Sequence, residues 1–267
     1  MSVSPPLPRL FRRETDAGVL TLTLSGPNRN ALSLVMIDSL ILTLDEIGKD
    51  ESVRAVVLAG EGPALSGGHD LKEMQAHRKD PDGGKGYFEE LMSRCAMLMQ
   101  AIVGLRQPVI AAIEGIATAA GCQLVASCDL AVAGERARFG LSGVNNGLFC
   151  STPLVAVGRS MSRKHALEMG LTGALYGASD AERFGLVNRV VPEGGALAEA
   201  QRLAQAIARH SGPTVALGKR AFYAQIEKPL DAAYRLAAEA MVDNLAYPDS
   251  AEGLAAFIEK REPKWGA

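Results

Sequence analysis

A chain of 267 residues, 48% hydrophobic and 22% charged, has the length and composition of a soluble globular protein, either one large domain or a core with a small helical appendage. A formal net charge of −2 gives no support to nucleic-acid binding. The longest apolar stretch is interrupted by Glu114, Gln123 and Asp129, short of the roughly 20 residues that a membrane span needs.

The N-terminal segment MSVSPPLPRLFRRE carries prolines and arginines but no apolar signal core, and reads as a disordered start or a trimmed targeting remnant. Gly18 to Gly26 alternates Leu and Thr, the pattern of a half-buried strand. Pro27 to Asn30 is a turn. Ser33 then caps a helix running to about Ile47, with Val35, Ile37, Leu40, Leu44 and Ile47 as its apolar stripe. Arg54 to Ala59 is a buried-type strand, and Gly60 to Gly68 a turn-rich loop. His69 to Met74 begins a helix that Asp70 caps, with Glu73 three residues on. Gln75 to Gly86 is polar and glycine-rich, a loop suited to closing over a ligand or simply to lying in solvent. Tyr87 to Leu105 returns to helix with Leu91, Cys95, Leu98 and Ile102 inward; Met92, Met97 and Met99 suit a core or a pocket wall.

Pro108 to Val132 is the organising stretch. A β-prone run (Val109 to Ile113) meets Gly115, then the small residues Ala117 to Cys122, a helix from about Cys122 to Ser127, and a strand at Leu130 to Val132. Small residues before a helix leave its first N–H groups open to a carbonyl oxygen or anion, or merely permit tight helix–sheet packing. The loop after Arg54–Ala59 has the same grammar. Two such units can aim one backbone N–H each at a shared point, as an oxyanion hole does. A further strand is expected near Val187. Amphipathic helices follow at about Ala196–His210, Pro213–Ile226, Leu230–Leu245 and Ser250–Glu262.

AVVLAGEGPALSGGHDLKEM and GIATAAGCQLVASCDLAVA, in this order, resemble the enoyl-CoA hydratase/isomerase (crotonase) superfamily, and the likeness runs from NALS at Asn30 to Ser33 through FIEKREPKW. GHDLKE, ATAAGCQLVASCD and GLFCSTP are most similar to its divergent hydratase-domain-containing branch. The resemblance implies an α/β fold, a spiral of ββα units over residues 1–195 holding an acyl-CoA site. A C-terminal helical region, 196–267, would form a homotrimer or a dimer of trimers. It implies an acyl-CoA thioester as partner, with coenzyme A arriving as part of the substrate, no permanently bound cofactor and no metal. Four scattered histidines agree with the last point. Cys95, Cys122, Cys128 and Cys150, without a CxxC, read as buried free thiols of a reducing compartment: cytoplasmic, or the mitochondrial matrix in a eukaryote.

By resemblance, the backbone amides of His69 and Ala120 polarise the thioester carbonyl and stabilise its enolate. Arg29, Ala31, Asp70, Leu71, Lys72, Phe257 and Lys260 join His69 and Ala120 in holding the acyl-CoA. The two glutamates that family hydratases use fall at Gln123 and Gly143, and the acid of some isomerases at Ser151. Gln does not exchange a proton near neutral pH, and Gly has no side chain. The polar groups left nearby are His69, His77, Ser142, Asn145, Asn146 and Cys150. The sequence therefore leaves open a hydratase or isomerase leaning on His69, a different acyl-CoA reaction, and a catalytically weak acyl-CoA-binding protein. A serine hydrolase has no GxSxG to support it.

Overall fold

The computed structural model describes residues 9–15 and 18–266, so the reading of the first eight residues lies outside it, whereas Arg9–Thr15 form a strand and not a disordered start. Two sheets organise the chain. The larger has the order β1 (Arg9–Thr15), β2 (Val19–Ser25), β3 (Ala55–Gly60), β5 (Val109–Ile113), β7 (Leu130–Gly134) and β10 (Arg189–Val191); the smaller has β4 (Ala64–Ser66), β6 (Ile116–Thr118), β8 (Arg138–Gly140) and β9 (Leu175–Gly177). Among the described residues only the edge strands β1 and β9 pair antiparallel. Each of the passes β3–β4, β5–β6 and β7–β8 sends one strand into each sheet. The chain thus climbs as the expected spiral of ββα turns.

The helices are α1 (Pro27–Asn30), α2 (Leu34–Lys49), α3 (Leu71–His77), α4 (Lys85–Gly104), α5 (Ala120–Ser127), α6 (Ser151–Ser160), α7 (Arg163–Thr172), α8 (Ala178–Phe184), α9 (Ala196–Ala208), α10 (Gly212–Gln225), α11 (Leu230–Leu245) and α12 (Pro248–Glu259). Ser33 caps α2 by accepting the Met36 N–H, as its sequence position predicts. The stripe of α2 is displaced by one residue at its start: Met36 is buried, whereas Val35 is on the outer face. The segment read as a polar loop is shorter than expected. Helix α3 continues to His77 and α4 begins at Lys85, leaving 78–84 between them.

Parallel strands covered on both faces need apolar side chains on both. Strand β3 meets this with AVVLA and β5 with VIAAI, all buried. One face packs on α2, α4 and α5 in the larger core. The other receives α9, whose Ala196, Ala200 and Ala204 lie against Val19, Ala55, Val57, Ile110 and Val132. Alanine at every fourth position lets α9 approach the sheet closely. This second layer explains why β2 is buried on both faces and not half-buried: Thr21 is inside and accepts a hydrogen bond from Gln201 Nε2 at 3.1 Å. It also means that a division after residue 195 does not coincide with a break in packing.

Helix α10 is fastened to the core by one buried cation. Lys219 Nζ donates to Asp129 Oδ2 at 2.7 Å and to the carbonyls of Ile102 and Gln107, each at 3.1 Å. Asp129 in turn accepts from the Val109 N–H at 2.7 Å and from the Tyr223 hydroxyl at 3.0 Å. The two side chains are 8% and 14% exposed, so removing one charge strands the other in a poorly solvated place. Lys219→Met is expected to lower the unfolding free energy by about 2–3 kcal/mol, read from the denaturation midpoint.

Candidate active site

The two loops singled out by their small residues meet at one end of the sheets. Gly68, at φ 92°, lies so close to the start of α5 that a Cβ on it would stand 3.0 Å from the Thr118 carbonyl oxygen and 3.3 Å from the Ala120 nitrogen. Gly121 is held tighter still: its Cβ would fall 2.2 Å from the Ser66 carbonyl oxygen. The Thr118 hydroxyl donates to the Gly67 carbonyl at 3.2 Å, tying the loops across this contact. The turn carries strain. Ala119 sits at φ 50°, ψ −119°, a region that favours glycine, and from there α5 begins at Ala120, two residues earlier than its composition suggests. Ala119→Gly is expected to raise stability by about 1 kcal/mol by relieving this strain, measured by thermal unfolding.

Neither the His69 amide nor the Ala120 amide has an acceptor among the described residues. Both residues line a cavity of about 310 Å³. Leu71, Met74, Phe88, Met92, Leu148 and Phe149 supply much of its apolar wall. Asp70 caps α3 by accepting from the Lys72 and Glu73 amides at 2.9 and 3.3 Å. The Asn28 side-chain amide donates to the same carboxylate at 2.8 Å. Through that bond the Pro27–Asn30 turn, with Asn28, Arg29 and Asn30 all left-handed, is attached to the His69 loop. The Arg29 carbonyl accepts from Gly67 N–H at 2.9 Å, and the buried Ala31 follows directly.

His69 is the one histidine in the cavity wall. Burial pushes its pKa down to about 4, so the imidazole is neutral at physiological pH. Its Nε2 is occluded and has no hydrogen-bond partner among the described residues. Gly143 also lines the cavity, in the 3₁₀ turn Ser142–Asn146. A Cβ there would lie 2.6 Å from the Leu148 carbonyl oxygen and 2.7 Å from Cys150 Sγ, so this loop path has no room for a glutamate. Gln123 is not part of the cavity wall. It is buried in α5, with Cys95 Sγ 3.9 Å from its amide oxygen. No carboxylate lines the cavity among the described residues.

Of the remaining polar candidates, Ser142, Asn146 and Cys150 reach the cavity. Burial pushes the Cys150 thiol up, away from a reactive thiolate. His77 stacks on Tyr87 and meets Asp80 at 2.7 Å, and Asn145 donates to the Gly173 carbonyl at 3.1 Å; neither lines the cavity. Lys72 is exposed on α3. Phe257, 84% exposed on α12, and Lys260 just beyond it are not cavity residues within this single chain. The sequence reading missed Arg78, Phe88, Leu148, Phe149 and Pro153 as wall residues. Arg78 falls inside Gln75–Gly86, the polar segment suited to closing over a ligand or to lying in solvent, and nothing in its immediate sequence singles it out.

Residues 14–267 match the enoyl-CoA hydratase/isomerase family. The chain belongs to that family. Among its relatives, the enoyl-CoA hydratase domain-containing protein 3, mitochondrial, of Homo sapiens is 45% identical over 254 residues, covering 95% of this chain and 82% of that protein. The Rattus norvegicus protein of the same name is 46% identical over 259 residues, covering 97% and 85%. A crystal structure of an enoyl-CoA hydratase from Mycobacterium smegmatis superposes with a TM-score of 0.91 at 48% identity, covering 98% of this chain and 99% of that one. The human domain-containing protein 3 structure gives 0.90 at 45%, covering 96% and 99%. The crotonase-type α/β architecture, with its C-terminal helices, is therefore this chain's fold. Among the described residues no helix is long and apolar enough to cross a membrane.

Proposed function

We propose that the cavity takes an acyl-CoA thioester, with the thioester oxygen between the free amides of His69 and Ala120, and that it stabilises the thioester enolate. The observation that carries this reading is the pair of unpartnered amides on adjoining loops at an apolar cavity. An enolate places negative charge on that oxygen, and fixed backbone donors in a dry site favour it without reorganisation. In hydration, the water oxygen adds to the β-carbon as the enolate forms. His69 accepts the water proton and returns it to the α-carbon. An imidazole whose pKa is near 4 is a weak base, but once protonated it is a strong acid, which suits the second transfer. A second reading, a binding protein with little turnover, is favoured by the withdrawal of Gln123 and the tight packing at Gly143.

Coenzyme A enters as part of the substrate in this proposal, with no resident cofactor. The exposed apolar side chains of α11 and α12, among them Leu230, Tyr234, Val242 and Ile258, are surface that a homotrimer or dimer of trimers would cover. In that assembly Phe257 and Lys260 would hold CoA at a site completed by a neighbouring subunit. Four buried free cysteines support a reducing compartment, the cytoplasm or the mitochondrial matrix. The test is loss of conjugated-thioester absorbance with crotonyl-CoA and longer 2-enoyl-CoAs, beside calorimetric binding of saturated acyl-CoAs. Turnover above background supports hydration. Binding without turnover supports the second reading, and no binding of any thioester overturns both.

A further inference from the structure

One face of α3 forms part of the cavity floor. Its lining residues Leu71 and Met74 and, immediately after the helix, Arg78 stand at i, i+3 and i+7, the spacing of a single helical stripe. Two apolar residues are thus followed along the stripe by a cation. Phe88 and Met92 of α4, four residues apart, continue the apolar lining. The Arg78 guanidinium lies over the Phe88 ring, 5.5 Å from its centroid. No carboxylate among the described residues pairs with it. Among the described residues Arg78 is the one cationic side chain of lysine or arginine type in the lining.

His69 stands just before α3 and Arg78 just after it. At about 1.5 Å of rise per residue, the backbone between them advances roughly 13 Å, and the arginine side chain can span part of that distance. A ligand fixed by its carbonyl at the His69 end therefore runs over an apolar floor before it meets the cation. A planar guanidinium held against an aromatic face keeps its edge N–H groups free for a carboxylate. An alkyl terminus would leave this charge without a partner.

We infer that the acyl group this site selects is anionic at its far end, an ω-carboxyacyl thioester, and that Arg78 is the residue that selects it. The inference rests on the acyl-CoA reading above. Glutaryl-CoA and valeryl-CoA, of equal carbon count and differing by the terminal carboxylate, are the probes, with free CoA as the third ligand. Calorimetry on the full chain should give glutaryl-CoA about tenfold tighter than valeryl-CoA at low salt, a difference that shrinks as salt rises. In Arg78→Gln the preference should fall to within about twofold, with valeryl-CoA and free CoA unchanged. Arg78 is exposed beyond a helix end, so the variant keeps the fold; unchanged thermal unfolding checks this.

Equal binding of the two thioesters by the wild-type protein overturns the inference. So does an Arg78→Gln variant that loses affinity equally for both thioesters and for CoA, because the guanidinium would then serve a CoA phosphate. If valeryl-CoA binds without a carboxylate preference, only this inference fails. If no thioester binds, the acyl-CoA reading fails with it.

Discussion

His69→Gln is expected to reduce 2-enoyl-CoA turnover by about 10²-fold or more while leaving saturated acyl-CoA affinity within about threefold. Any residue but proline keeps the backbone N–H at this position, so the variant separates the side chain from the amide donor. A loss confined to kcat identifies the imidazole as a proton carrier. Equal losses in kcat and affinity would reduce it to a wall of the pocket. The low pKa adds a second readout. Burial disfavours the charged ring, so the folded imidazole titrates near 4 and the unfolded one near 6.5. Between those values the unfolded chain holds more protons than the folded chain. Stability contributed by neutral His69 is therefore present above about pH 6.5 and lost as pH falls towards 4, on the order of 3 kcal/mol. His69→Gln should flatten that part of the stability–pH profile. Turnover that depends on neutral His69 should persist from pH 7 to about 5 and disappear near 4.

Gly121→Ala is expected to be the most disruptive single methyl group at the site. The added carbon would lie 2.2 Å from the Ser66 carbonyl oxygen, 2.8 Å from the Ser66 carbonyl carbon and 2.9 Å from its Cβ. These neighbours cannot move aside: Ser66 is fully buried in β4, which is paired to β6. A loss above about 3 kcal/mol follows, with a fall in Tm of about 10 °C or failure to accumulate as folded protein. The loops carrying the two free amides would separate at the same time, so any residual folded protein should bind acyl-CoA poorly. Gly218→Ala is the control. Nothing lies within 4 Å of its Cβ position in α10, and replacing a mid-helix glycine there should stabilise by about 0.5–1 kcal/mol. If the two substitutions behave alike, the close contact between β4 and α5 is not what holds the site.

The features that sequence could carry were local ones. AVVLA and VIAAI announce buried strands because strands of a parallel sheet are covered on both faces. Asp70 and Ser33 announce helix starts because their side chains accept hydrogen bonds from amides two or three residues on. The small residues around Ala120 and Gly68 announce a close backbone approach, since bulk is excluded where two chains touch. Together with the family resemblance, these pointed to both loops of the candidate site.

Tertiary structure decided what those residues face. Gln123 occupies a position that the family resemblance assigns to the site, yet its amide is turned into the core beside Cys95. Gly143 looks like a glutamate simply lost, but its missing side chain is filled by the Leu148 carbonyl and the Cys150 sulfur. Thr21 alternates as though facing water and is covered by α9, which arrives 180 residues later. Arg78 shares a helical spacing with Leu71 and Met74, but only the folding of α3 against α4 sets it at an apolar cavity. Hydrogen-bond caps and periodicity act over a few residues and are written in the chain. Burial, pKa and the lining of a cavity depend on contacts between distant segments, and only the packed structure fixes those.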